Sequence, residues 1–191
     1  MSRNSPNRLT RRGFALSGLA AMTVTSACGN GVGSNGAITI DARVDATLDE
    51  MYRSYPNTGD IADKASGMLV MPLVTEAGFG FGAGYGRGAL RVGGATLDYY
   101  SNTKATAGFQ IGAQQYAHVL FFMTDEALRS FRRAPGWTLG ADVGYVVNNS
   151  GESLAADSNT LQHAILAAVF NQAGLQVGAT LEGSKYTRII P

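Results

Sequence analysis

The sequence predicts an α+β fold, a strongly curved antiparallel sheet or partial barrel of glycine-rich strands covered by a few short helices. Three observations predict it. In AGFGFGAGYGRGAL, residues 77–90, glycine occupies every even position from Gly78 to Gly88, with Phe79, Phe81, Tyr85 and Arg87 among the odd ones. Period two describes a strand whose successive residues face opposite sides. A related pattern, glycine, apolar, any residue, apolar, glycine, alanine, begins at Gly78, Gly108, Gly136 and Gly174, and its unequal spacing argues against a solenoid. The third observation is a set of short amphipathic stretches of helical period between these segments.

The chain opens as an export signal. Arg3, Arg8, Arg11 and Arg12 form a basic head with no acid before Asp41, followed by the apolar run Phe14 to Val24 and the small residues Thr25-Ser26-Ala27. This is the three-part plan of a secretory signal, and TRRGFAL resembles a twin-arginine signal. Residues 1–27 are therefore expected to be removed. Cys28, the sole cysteine, stands where a lipoprotein signal places its acylated residue. Thr25 stands where leucine or valine is usual, and ordinary cleavage would cut the same bond; lipidation of Cys28 is the favoured reading. The expected location is the periplasm or outer membrane of a bacterium.

Signal removal sets the charge. Of 15 basic and 14 acidic residues, four basic ones lie in the signal, leaving 11 against 14, a formal −3. Such a body is not steered toward nucleic acid, and it has no basic cluster of the kind that reads anionic lipid. The adjacent pair Arg132-Arg133 reads as a solvated helix face.

Residues 28–43, rich in Gly, Asn and Ser up to Gly36, read as a flexible tether, and 44–191 as one domain. Val44, Leu48, Met51, Tyr52 and Tyr55 give a first amphipathic helix ended by Pro56 and Gly59. A second short helix spans about 60–66 and leads into the buried-looking strand MLVMPLV. Thr124 caps a third helix, with Asp125 and Glu126 in its first turn, Leu128 and Phe131 on its buried side, and Pro135-Gly136 stopping it. Residues 161–170 fit a helix or a buried strand; the strand, turning at 171–174 into the last glycine-rich segment, is preferred.

Glycines locked to even positions cannot supply the odd step of the dinucleotide fingerprint, and no Gly-Lys-Ser/Thr follows. Each strand glycine costs about 0.5–1 kcal/mol against alanine. Six of them need an offset, such as close approach of another backbone or a sharp bend. A ligand against the bare face is the other reading.

Several motifs together resemble the SYLF domain family: Gly67-Met-Leu-Val-Met-Pro-Leu-Val-Thr-Glu-Ala-Gly-Phe79, Gly84-Tyr-Gly-Arg-Gly-Ala-Leu90, Gly108-Phe-Gln-Ile-Gly-Ala-Gln114 and Gly174-Leu-Gln-Val-Gly-Ala-Thr-Leu-Glu-Gly183. The resemblance covers about residues 44–190. It implies a phosphoinositide- or phosphatidic-acid-binding module in eukaryotic members, with actin association in yeast; actin is not an expected partner of an exported chain. Three positions depart from the family pattern. Glu76 stands where lysine is frequent, Gln115-Tyr-Ala-His118 where an acid is usual, and Phe170-Asn-Gln-Ala173 where serine and tyrosine are usual.

No catalytic or metal-binding constellation is legible. His118 lies in a strand-like run, His163 beside Leu161 and Ile165, and Glu76, Asp98, Asp142 and Glu182 are scattered, with solvated or capping roles as the default. The reading is a non-catalytic lipid-binding module without cofactor, whose partners are a phospholipid or other amphiphile and, through acylated Cys28, the membrane. The alternative is a structural or protein-interaction module of the envelope. An apolar pocket at the sheet edge, or the first helix lying on the membrane, would bind the lipid. Arg87 and Arg91 are the headgroup candidates, since Arg87 follows bare backbone where guanidinium and N–H groups converge.

Overall fold

Gly93 and Gly94, with φ of 57° and 82°, make the two-residue turn that joins the two longest strands, β1 (Gly67–Val92) and β2 (Ala95–Phe122). Both central residues at positive φ match the twist of a tight hairpin, which glycine allows without strain. The computed structural model describes residues 34–140, 143–147, 163–174 and 180–191. The expected signal, Cys28 and the first part of the expected tether lie outside the described residues.

Among the described residues, three helices accompany the strands: α1 (Gly36–Ser54), α2 (Asn57–Lys64) and α3 (Asp125–Arg133). The remaining described strands are β3 (Trp137–Thr138), β4 (Gly144–Val147), β5 (Ile165–Gly174) and β6 (Lys185–Ile189). They form a strongly curled half-barrel sheet. β2 is its spine: β1 pairs along one side, while on the other β6 pairs with residues 99–103 and β5 with residues 114–122. β3 extends β6 and β4 extends β5. The fold class is as expected, with one difference: β4 and β5 run parallel, so the sheet is mixed.

The curl is sharpest in the glycine stretch. β1 folds back at Phe79-Gly80-Phe81, where Gly80 takes a φ of 74° and the β1–β2 register shifts. A Cβ on Gly78 would lie 2.6 Å from the Phe81 carbonyl oxygen, and one on Gly84 would lie 2.8 Å from Glu76 Cγ. Further along, a Cβ on Gly86 would lie 2.7 Å from the Leu73 carbonyl oxygen, and one on Gly88 would overlap the Val70 carbonyl. The second half of β1 therefore lies face to face on the first half at a separation that only glycine permits. Close backbone approach, rather than a ligand, accounts for the stripe.

Two cores result. One lies inside the curl and includes Leu69, Met71, Leu90, Leu120, Phe122, Phe131 and Tyr186. The other lies outside it, under α1 and α2, and includes Ile40, Val44, Met51, Val70, Val119, Phe121 and Phe170. Ile40, Val44, Thr47 and Met51 of α1 are buried, one face at helical spacing. The helix begins at Gly36, so residues 36–43 are helical where a tether was expected. It ends at Ser54, and Gly59 lies inside α2, which starts directly after Pro56.

α3 follows the sequence reading closely. The Thr124 side chain accepts a hydrogen bond from Ala127 N at 3.2 Å, and Leu128 and Phe131 are buried. Of the ambiguous segment 161–170, residues 165–170 are strand, as preferred. The strand then continues through 171–174 instead of turning, passing Asn171 at a φ of 53° where the register with β2 shifts. That is a bulge: the chain adds a residue against β2 and stays paired. The repeated pattern has no single fate. Leu139 is buried in the inner core, Phe79 and Phe81 are exposed, and 175–179 lie outside the described residues. The helices thus do not cover the apolar side of the first repeat, which projects into solvent.

Candidate functional site

The site grows from the meeting of α1 with the outward face of β1. Beyond the register shift between Met71 and Val74, the odd-numbered residues of β1 from Thr75 to Tyr85 point away from the curl, and Leu73, Thr75 and Tyr85 are exposed. α1 crosses beside them, and between the two elements lies a cleft of about 610 Å³. Asn35, Thr39 and Arg43 line it from the helix side, Leu73, Thr75, Tyr85 and Arg87 from the strand. Two guanidinium groups line it together with the hydroxyl groups of Thr39, Thr75 and Tyr85 and the Asn35 amide. Such a wall suits an anion attached to an apolar body: arginine offers paired donors to phosphate oxygens, while Leu73 and Tyr85 offer apolar surface.

The two headgroup candidates, Arg87 and Arg91, have different surroundings. Arg87 is half-buried and lines the cleft. Arg91, with its side chain 12 % exposed, donates to Asp45 Oδ1 at 2.6 Å and to the Gly94 carbonyl at 3.2 Å, and lies 3.6 Å from Asp41. Asp41 also accepts from Thr96 Oγ1 at 2.8 Å and from the Tyr99 hydroxyl at 2.7 Å. Burial, then the Asp41 carboxylate, raise the Tyr99 phenol above its usual range. Arg91, Asp41 and Asp45 thus clamp α1 to the tip of the hairpin. Sequence spacing marks Arg43 only as part of a helix's polar face, because its partner across the cleft is on a distant strand.

Inside the curl, behind the cleft, lies a buried polar cluster. Glu76 accepts from Lys104 Nζ at 3.1 Å, Gln114 Nε2 at 2.7 Å and the Tyr116 hydroxyl at 2.6 Å. Lys104 also donates to the Thr180 carbonyl, and its side chain is only 4 % exposed. Desolvation, then the Glu76 hydrogen bond, push the Tyr116 phenol far up, so it stays a donor. The solvated role expected for Glu76 is therefore corrected: its carboxylate is buried, and Lys104 supplies the cation beside it. Parity carried a signal, since Glu76, Lys104, Gln114, Tyr116 and His118 are all even, in phase with buried Val74, Tyr100 and Leu120.

His118 is fully buried and shares a 2.8 Å hydrogen bond with the Tyr186 hydroxyl. Burial, reinforced by Lys104, lowers its pKa to about 3, so it stays neutral at physiological pH. His163 is exposed beside Gly144. Asp98 pairs with Arg132 at 3.2 Å and with Arg188 at 3.6 Å, and Asp142 lies outside the described residues. Arg132, expected to be simply solvated, thus holds α3 to the sheet. No group of three potential ligands that could hold a metal exists among the described residues. Among them, no helix is long and apolar enough to cross a membrane.

Comparison with curated proteins finds no match. Residues 103–188 match the family model Ysc84, described as Las17-binding protein actin regulator. The matched segment holds most of β2 together with α3 and β3 to β6, and the motifs at 67–79 and 84–90 precede it. The family is generally non-catalytic. The match at residues 103–188 is to the family that the glycine-rich motifs resemble.

Proposed function

We propose that this domain is a non-catalytic lipid-binding module whose headgroup site is the cleft between α1 and β1. The SYLF family supports a lipid-binding or actin-regulator type of module. What carries the lipid reading is the cleft wall, where Arg43 and Arg87 stand beside exposed Leu73 and Tyr85. An anionic headgroup would accept from the guanidinium groups and from Thr39 or Thr75, with its apolar part against Tyr85. The alternative of α1 lying on the membrane is disfavoured, because Ile40, Val44 and Met51 are committed to the outer core and no free apolar stripe remains to enter lipid.

Export and acylation of Cys28 complete the reading. Asn35 and Gly36 wall the cleft, and the eight residue-to-residue steps from Cys28 to Gly36 reach at most about 28 Å. An acyl anchor at Cys28 would hold the cleft near the bilayer surface.

Flotation of residues 28–191 carrying Cys28→Ser, with neutral and with anionic vesicles, tests the proposal. Binding to anionic vesicles that weakens with salt is expected. Flotation of the acylated form alone would assign membrane attachment to the anchor, and the domain would then be a protein-interaction module of the envelope.

A further inference from the structure

Phe79 and Phe81 are 79 % and 81 % exposed, more than any other large apolar side chain among the described residues. They sit on either side of Gly80, at the point where β1 folds back on itself. A soluble fold gains nothing from presenting two phenyl rings on a convex bend, and large exposed apolar groups placed together mark an interaction site.

The surroundings identify the medium. From Ala77 to Gly86 the chain carries no charge. Moving back from the bend along the outward face come Phe81, Ala83, Tyr85 and then Arg87. At about 3.3 Å per residue, Tyr85 lies roughly 13 Å and Arg87 roughly 20 Å behind Phe81 along the strand. Phenyl rings, then a phenol, then a guanidinium is the order of a membrane boundary: acyl chains, the interfacial belt where tyrosine concentrates, and the phosphates. The cations of the cleft, Arg43 and Arg87, lie behind the bend on the same side, where a strand tilted toward the bilayer brings them to an anionic surface.

We infer that the Phe79-Gly80-Phe81 bend is a membrane-inserting wedge that dips into the acyl boundary of an anionic bilayer while the cleft engages a headgroup. The inference rests on the lipid-binding reading and adds a second, apolar contact to it. Insertion is shallow, roughly 5–10 Å, because the register break at the bend leaves backbone groups that hydrocarbon would not satisfy. The inward face of the same segment contributes no opposing charge, since Glu76 is buried against Lys104.

The test uses the full chain with Cys28→Ser, which leaves no cysteine, and a single Ala83→Cys carrying an environment-sensitive fluorophore. Ala83 is exposed on the outward face. With vesicles of phosphatidylcholine and phosphatidic acid, a blue shift of the probe is expected, together with quenching by lipids brominated in the acyl chain. Phe79→Ser with Phe81→Ser should abolish the shift and weaken vesicle partitioning roughly tenfold or more, with an unchanged circular dichroism melt. Vesicle binding with an aqueous probe, or binding unaffected by the double substitution, overturns the wedge and leaves the headgroup cleft standing. Absence of any vesicle binding overturns both.

Discussion

Gly88 and Val70 touch backbone to backbone: a Cβ on Gly88 would overlap the Val70 carbonyl oxygen and approach Met71 Sδ. This contact closes the curl of β1, and it gives the glycine stripe a thermodynamic reading. Gly88→Ala should destabilise the domain by roughly 2–4 kcal/mol, because backbone must move to admit the methyl group. Gly59, inside α2, has nothing within 4 Å of its virtual Cβ and no positive φ. There alanine should raise stability by about 0.5–1 kcal/mol through helix propensity and a less flexible unfolded chain. Urea unfolding of both variants reads the opposite signs, and equal destabilisation would contradict the face-to-face packing.

How much of this was legible depends on how local the cause is. The α3 cap was readable because Thr124, Ala127 and the two acids lie within one turn. The glycine stripe was readable as strand, and close backbone approach was among its stated causes. The fold-back at Gly80 was not, since Phe79-Gly80-Phe81 keeps period two through the bend, and only contacts between 70–78 and 82–88 reveal it. Arg91 looked like Arg87 in sequence because its partners, Asp41 and Asp45, lie more than forty positions upstream. α1 began earlier than expected because Ile40 adds a buried turn to a stretch whose Gly and Asn content reads as linker.

Glu76 and Lys104 form the charged centre of the curl, 3.1 Å apart with both side chains largely buried. Glu76→Ala leaves a buried ammonium whose remaining partner is the Thr180 carbonyl, and removal of one member of such a pair costs about 3–5 kcal/mol. The double variant Glu76→Leu with Lys104→Met should recover most of that loss, since both charges and their desolvation are removed together. A double-mutant cycle by chemical denaturation measures the coupling. Additive losses would show that the two groups do not act as a pair.

His118 makes stability depend on pH in a defined direction. Its pKa falls from the ordinary 6.5 to about 3 on burial, so between these values the unfolded chain binds a proton that the native state refuses. Its stabilising contribution is full above pH 6.5 and declines as pH falls from there toward about 3. The slope is at most about 1.4 kcal/mol per pH unit. Denaturation midpoints at pH 7, 6 and 5 should fall accordingly. His118→Gln should flatten this component of the profile whatever its effect on absolute stability, and an unchanged slope would mean that another group is responsible.

Arg43 and Arg91 separate binding from architecture. Arg91→Ala breaks the clamp on Asp41 and Asp45, partners that are partly exposed, so the loss should be near 1 kcal/mol, in the range of solvent-screened pairs. Its effect should be a lower melting temperature with vesicle affinity retained well below the melt. Arg43→Glu places a carboxylate in the cleft at an exposed helix position. It should leave melting nearly unchanged while lowering affinity for anionic vesicles and reducing the salt dependence of what remains. Flotation across a salt series, paired with thermal melts, compares the two variants directly. If Arg91→Ala abolishes binding in a fully folded protein while Arg43→Glu binds normally, the headgroup site belongs at the hairpin tip instead of the cleft.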